Sequence, residues 1–154
     1  RDEYLRLADN KASAKNIAKH TFTVEEFLTD EFKKGNISTC IFTEKAKELK
    51  IHAHCHQKAL SSSYAIFCAL SIPVNYKVSI LNTGCCGMAG SFGYEKKHYK
   101  VSMQIGEDTL FPKLRNCKTS VEIATSGTSC RHQILHGTKR IAKHPASILR
   151  EALK

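Results

Sequence analysis

The chain has no Cys-x-x-Cys pair, no glycine-rich dinucleotide fingerprint and no apolar run long enough to span a bilayer. The first absence argues against a thioredoxin-type redox motif, a short-pair zinc site and a ferredoxin-type cysteine run. The second leaves no motif signal for a Rossmann-type dinucleotide site. The best apolar candidate, Tyr64 to Ile72, is stopped by Pro73, which leaves it far short of the roughly 20 residues a membrane helix needs. The chain opens Arg1-Asp2-Glu3-Tyr4, with neither an initiating Met nor an apolar signal segment, so a fragment or a processed chain is expected. There is no internal repeat, no low-complexity tract and no nucleic-acid-binding motif.

What is present is ordinary globular material: 154 residues, 42% hydrophobic and 25% charged, enough for one domain with a real core. The formal net charge is +10, from 24 Lys and Arg against 14 Asp and Glu. Residues 1–50 hold ten basic and nine acidic side chains, whereas residues 51–154 hold fourteen and five, so nearly all the excess lies in the second stretch. The basic residues are scattered, which fits a solvated lysine-rich surface better than a nucleic-acid footprint. Seven cysteines are an odd number and cannot all pair within the chain. Without a secretion signal, that density points to metal or redox chemistry in a reducing, cytoplasmic setting.

Two regions are expected, a helical lead-in with its linker over 1–49 and an α/β domain over 50–154. Tyr4 to Ala18 has helical spacing, and Thr23-Val24-Glu25-Glu26 is a capping box opening a helix that Gly35-Asn36 ends. From Lys50 the pattern alternates. Strands are expected over Lys50 to His54, Tyr76 to Leu81 and Val121 to Ala124. Helices are expected over Gln57 to Leu70, over Glu95 to Leu114 with breaks near Gly106 and Pro112, from Ser129, and from His144-Pro145. This alternation predicts a small parallel sheet with flanking helices.

Each expected strand ends in cysteine: His54-Cys55-His56, Gly84-Cys85-Cys86-Gly87, and Gly127-Thr128-Ser129-Cys130. In a parallel α/β sheet the carboxyl ends of the strands share one edge, where ligands gather. Four thiolates from three segments could therefore converge, which is the usual donor set of an iron–sulfur cluster. Neighbouring residues on a regular strand face opposite ways, so aiming both Cys85 and Cys86 at one centre needs the irregular turn that Gly84 and Gly87 permit. Helix amides following Gly87 and Cys130, with Lys58, Lys96, Lys97 and Arg131, would offset the anionic charge. The bland reading treats cysteines as small buried hydrophobes. It suits Cys68, inside an apolar helix, while Cys40 and Cys117 fall in expected loops with no glycine frame. Zinc is the rival metal. His54 and His56 flank Cys55 and could bind zinc, but a strand would direct both to the face opposite Cys55, so they are expected to surround the centre or meet substrate rather than ligate. For Arg131 and His132, capping and solvation on a first helical turn is the competing role.

The three segments His54-Cys55-His56-Gln57-Lys58-Ala59-Leu60, Gly84-Cys85-Cys86-Gly87-Met88-Ala89-Gly90-Ser91-Phe92-Gly93-Tyr94-Glu95 and Ser129-Cys130-Arg131-His132-Gln133-Ile134 strongly resemble one family. It is the cysteine-rich CCG domain found in heterodisulfide reductase and in the iron–sulfur subunit of glycolate oxidase. The nearest resemblance is to the carboxyl-terminal part of long chains that fuse a FAD-linked oxidase to an iron–sulfur oxidoreductase region. It extends over nearly the whole chain, which looks like the second copy of a tandem pair. One position departs: the family often closes with Cys-x-x-Cys, and the first of that pair is Gly127 here. Four ligands remain, Cys55, Cys85, Cys86 and Cys130, enough for a 4Fe-4S cubane but one short of the five-cysteine set of the non-cubane type.

The resemblance implies an electron-transfer module of a FAD-dependent dehydrogenase acting on D-lactate, glycolate or D-2-hydroxyglutarate. Its implied partners are a FAD-linked oxidase domain or subunit, a first CCG copy and a ferredoxin-like domain upstream, a small anionic hydroxy acid, and an electron acceptor that a peripheral membrane location would also suit. FAD would lie in the missing part, and the isolated chain would be inactive. His54, His56, Lys58, Arg131 and His132 would tune the cluster or face the anionic substrate. Two other readings compete: a non-catalytic module that holds zinc, or no metal, and docks a flavoprotein, and, ranked last, a thiol–disulfide enzyme using the vicinal pair Cys85-Cys86.

Overall fold

The computed structural model describes residues 1–154. Its centre is a four-stranded parallel sheet, β1 (Lys47–Ile51), β2 (Tyr76–Ile80), β3 (Glu122–Ala124) and β4 (Ala142–Lys143), in the order β2-β1-β3-β4. Helices α1 (Glu3–Leu7), α2 (Lys11–Lys19) and α3 (Val24–Lys33) precede it. Helices α4 (Cys55–Leu60) and α5 (Tyr64–Leu70) join β1 to β2, α6 (Tyr99–Arg115) joins β2 to β3, α7 (Thr128–Thr138) joins β3 to β4, and α8 (Pro145–Glu151) closes the chain. The order makes β1 a branch point. The connection from β1 to β2 runs one way along the sheet, and those that follow run the other way. Right-handed crossovers then place the two sets of helices on opposite faces. The expected α/β class and the parallel sheet are observed.

Each face has its own core. Leu49, Ile51 and Ala124 pack with Ile66, Ala69 and Leu70 of α5 and Ile148 and Leu149 of α8. Ile123 packs with Leu110, Phe111 and Leu114 of α6 and Ile134 of α7, and Cys86 and Cys130 belong to this second cluster. The lead-in contributes through α3, which packs on α5 and α8. The Thr23–Glu26 capping box forms as expected, and His144 with Pro145 starts α8 as expected.

Five local expectations are corrected. The first strand is Lys47–Ile51, not Lys50 to His54; its charged residues are tolerated because Lys47 pairs with Glu122 across the sheet at 3.0 Å. The helix expected over Gln57 to Leu70 is two helices, separated at Ser61-Ser62-Ser63. There serine hydroxyls take the local bonds: Ser61 Oγ donates to Glu26 at 2.7 Å, and Ser62 Oγ accepts from Tyr64 N at 3.1 Å. Helix α6 begins at Tyr99 rather than Glu95 and runs unbroken through Gly106 and Pro112. The Phe111 ring explains Gly106: a Cβ there would stand 2.3 Å from Phe111 Cζ, and one on Gly137 of α7 would meet the same ring at 2.3 Å. The two-residue β4 carries too little pattern to be seen in advance. Finally, no helix starts directly after Gly87; the chain turns there and forms a short 3-10 helix at Phe92–Tyr94.

Candidate metal centre at the carboxyl edge of the sheet

The loops following β1, β2 and β3 all leave from the same edge, and each delivers cysteine. Cys55 is the first residue of α4, with His54 as its N-cap. Cys85 and Cys86 lie in the loop after β2, and Cys130 is in the first turn of α7. Cys55, Cys85 and Cys86 line one hollow of about 420 Å³, together with His54, His56, Ala89, Gly90 and Ser129. Cys130 lies beneath it, fully buried against Cys86. The four thiols expected from sequence thus meet in one place.

The turn that aims the vicinal pair has a specific cause. Gly87 has φ +96°, and a Cβ on it would lie 2.0 Å from the Ser102 carbonyl oxygen of α6. That carbonyl also accepts from Gln133 Nε2 of α7 at 3.0 Å. Helices α6 and α7 therefore grip the loop at a point where only glycine fits. Beyond it Ala89 (φ +41°) and Gly90 (φ +68°) stay in the left-handed region and curl the loop around the hollow. Holding Ala89 there costs of order 1–3 kcal/mol, an expense that recurs at functional sites. The amide of Gly87 donates to Cys85 Sγ at 3.3 Å.

The deepest part of the site contains a residue that the sequence reading did not select. His52 follows the last residue of β1, is fully buried, and has Nδ1 2.9 Å from Thr83 Oγ1. Its Nε2 has no hydrogen-bond partner. A ring nitrogen of His52 and the sulfurs of Cys86 and Cys130 all lie within 4.8 Å of one another, a set capable of holding a metal ion. Strand alternation was the signal that could have found it. Leu49 and Ile51 face the α5/α8 core, so His52 faces the other side, where the cysteines lie.

Electrostatics separate the thiols. Cys86 is drawn down to about 4, chiefly by the hydrogen bond from the Cys130 thiol, against the opposing effect of burial; the His52 imidazole and the Met88 amide add to the lowering. Cys130 is pushed well up by the same bond, by burial and by the Cys86 charge. Cys55 is raised by burial, then by Cys85 and Cys86, while Lys58 works the other way. Burial lowers His54, with His56 and His52 adding to it and Cys86 opposing. Three or four sulfurs so close together cannot all ionise without a compensating cation, which is what a metal supplies.

The remaining expected residues divide. His54 and His56 wall the hollow, and the Lys58 Nζ contact with the Thr83 carbonyl, 3.4 Å, keeps that cation beside the site. The expectation that His54 and His56 extend from a strand is corrected, because the strand has ended and His54 caps a helix. The His54 ring also explains Gly127: a Cβ at 127 would lie 2.5 Å from His54 Cδ2 and 3.1 Å from Cys130 Sγ. The imidazole occupies the space that a side chain at 127 would need. Arg131 and His132 point elsewhere. Arg131 donates to the carbonyls of Thr125 (3.2 Å) and Ser126 (2.8 Å) and to Thr128 Oγ1 (3.0 Å), so it straps the turn before α7. His132 Nδ1 is 2.7 Å from Tyr94 Oη at the surface. Cys40 is exposed, and Cys68 and Cys117 are half-buried, all outside the cluster.

On the other side of His54 and His56 lies a second hollow of about 380 Å³. Buried Glu25 and Gln57 border it, and Glu25 Oε1 and Gln57 Nε2 lack partners. Arg1 also borders it but is held by Glu26 at 2.5 Å.

The fold and site define a parallel α/β module with a thiol- and imidazole-lined pocket at the carboxyl ends of its strands. The chain is 27% identical over 158 residues to the C subunit of the anaerobic glycerol-3-phosphate dehydrogenase of Escherichia coli (strain K12), an alignment covering 99% of this chain and 37% of that protein. It is 31% identical over 155 residues to the D-2-hydroxyglutarate dehydrogenase of the same strain, covering all of this chain and 14% of that protein. It is 26% identical to the D-2-hydroxyglutarate dehydrogenase of Haemophilus influenzae, covering 15% of it. The chain therefore spans well under half the length of these relatives. No family model matches it, and no solved structure matches it. No helix is long and apolar enough to cross a membrane.

Proposed function

We propose that the chain is the iron–sulfur electron-transfer module of a FAD-dependent 2-hydroxy-acid dehydrogenase, with Cys55, Cys85, Cys86 and Cys130 as thiolate ligands. The observation that carries this reading is the meeting of four cysteines from three loops, three of them lining one hollow and Cys130 buried against Cys86. The residues fit such a centre in number and in donor type, with a His52 ring nitrogen close to the Cys86 and Cys130 sulfurs. When bound, the cluster supplies a one-electron relay. The protein's own part is to hold the thiolates on a rigid sheet edge, to exclude water below through Cys130 and the α6/α7 core, and to offset charge with Lys58 and the first turn of α7.

The similarity to parts of dehydrogenases supports the redox context. Hydroxy-acid oxidation is assigned to a flavin-bearing partner domain or subunit. The second hollow suits an anionic substrate poorly, because the buried Glu25 carboxyl, 4.0 Å from His144 Nε2, borders it and Arg1 is already neutralised by Glu26. Exposed apolar side chains on the lead-in, among them Leu7, Ile17, Phe22 and Phe27, give a partner surface to cover. A second reading, a structural zinc site in a docking module, is favoured by the tight spacing of Cys86, Cys130 and His52.

Anaerobic purification followed by metal and sulfide analysis separates the two readings. Iron with acid-labile sulfide and visible absorption that dithionite bleaches is the expected result. One equivalent of zinc without colour would replace it with the docking role. Cys85→Ser should lower cluster content strongly and Cys68→Ser hardly at all; equal losses would overturn the ligand set.

A further inference from the structure

We propose that His52 is a nitrogen ligand of this centre, placed beside Cys86 and Cys130, so that the site has mixed sulfur and nitrogen donors. The inference rests on the metal-centre reading above and names a donor outside the four cysteines.

The case begins with a buried imidazole whose second nitrogen has no hydrogen-bond partner. An imidazole fully removed from water normally satisfies both ring nitrogens. His52 satisfies one: Nδ1 meets Thr83 Oγ1 at 2.9 Å, while Nε2 is buried with no partner. Leaving such an atom unpaired in the interior is destabilising. A His52 ring nitrogen lies within 4.8 Å of both the Cys86 and the Cys130 sulfurs, close enough for all three to reach one metal centre.

The surroundings fix the ring as ligating histidines are fixed. Their second nitrogen is usually held by a hydrogen bond that sets the tautomer and orientation. Thr83, itself buried, can do this by accepting from Nδ1–H, which leaves the Nε2 lone pair free. The backbone is tied as well: His52 N donates to the Ala124 carbonyl at 2.9 Å, extending the β1–β3 ladder by one residue directly below the site. His54 is the weaker candidate. Its carbon edge, Cδ2 and Cγ, fills the space above Gly127, and no hydrogen bond holds either of its nitrogens.

Imidazole is a neutral donor where thiolate is anionic, so a centre held partly by His52 is less negative than one held by thiolates alone and is easier to reduce. His52 would thus raise the reduction potential above that of an all-thiolate site.

The test uses the chain grown with ¹⁵N-labelled histidine, purified anaerobically and loaded with iron and sulfide. Pulsed electron paramagnetic resonance of the dithionite-reduced protein should show strong coupling to ¹⁵N. The coupling should persist in the double variant His54→Ala/His56→Ala, which leaves the buried core intact. His52→Cys should lose it while retaining iron, and its potential should fall. Absence of coupling in a loaded wild-type protein, or its loss in the His54→Ala/His56→Ala variant, would overturn the assignment. Should iron and sulfide fail to bind at all, the cluster reading fails but this one is still decided by cobalt(II) alone. The wild-type chain should then give tetrahedral visible bands that shift in His52→Cys, and bands identical in the two proteins would exclude the histidine. Retained helical circular dichroism in each variant identifies the protein as folded.

Discussion

On the α5/α8 face the sheet buries Leu49, Ile51, Ile66, Leu70 and Ile148, a core of hydrocarbon with the single phenol of Tyr76 at its edge. On the α6/α7 face the core includes the sulfurs of Cys86, Met88 and Cys130, with His52, Ser102 and Gln133 fully buried nearby. The first arrangement stabilises without specifying any chemistry. The second gives up hydrophobic contact for polar groups, one of them unpartnered, and holds a strained loop against two helices. Stability and chemistry are thus divided between the faces of one thin sheet, and the thiol site can be tuned without loosening the other side.

The largest expected effects test that division. Cys130→Ser should reduce bound metal at least tenfold while folding stability changes by about 1–3 kcal/mol, the range for a buried hydroxyl with imperfect partners. Leu70→Ala on the opposite face should lose about 2–5 kcal/mol and leave metal per folded molecule unchanged. Urea denaturation and metal analysis on the same preparations give both numbers. Loss of metal in Leu70→Ala at urea concentrations where it remains folded would show that the faces are not independent.

The division also explains what the sequence made legible. Strand–helix alternation and the three cysteine segments follow from local pattern, so the parallel sheet and the four thiols were readable. The break at Ser61-Ser62-Ser63 was not, because it depends on Glu26, a residue 35 positions away. Gly106 looked like a helix breaker because its reason, the Phe111 ring wedged between Gly106 and Gly137, exists only in three dimensions. His52 was hidden because placing the strand three residues too late put it inside the strand rather than at its end. Arg131 and His132 looked functional by proximity to Cys130, but a helix turns successive side chains about 100° apart, and theirs face away from the thiols.

A smaller effect probes the packing that supports the thiol face. Gly106→Ala drives a methyl group into the Phe111 ring and should cost about 1–3 kcal/mol. Phe111→Leu in the same chain removes the clash, so the double variant should be more stable than the sum of the single changes implies. A thermodynamic cycle by urea denaturation reads this coupling. Additive losses would mean that the ring is not what requires glycine at 106.

The smallest effects lie in the lead-in, outside the cysteine cluster. Thr23→Ala removes the hydroxyl that accepts from Glu26 N and should cost about 1 kcal/mol. The Glu26 carboxyl is pushed up by burial but held below the ordinary value by the Thr23 amide, the Ser61 hydroxyl and Arg1. A carboxyl depressed in the folded state stabilises above its unfolded pKa, and that contribution disappears as the pH falls through the folded value. The wild-type chain should therefore lose more of its urea midpoint between pH 7 and pH 3 than Glu26→Gln does. Because α3 packs mainly on α5 and α8, both substitutions should leave metal content at the wild-type level. A pH dependence unchanged by Glu26→Gln would remove this carboxylate from the account of acid stability. A fall in metal content in either variant would mean that the lead-in shapes the cysteine pocket through α4, whose last turn Ser61 joins to Glu26.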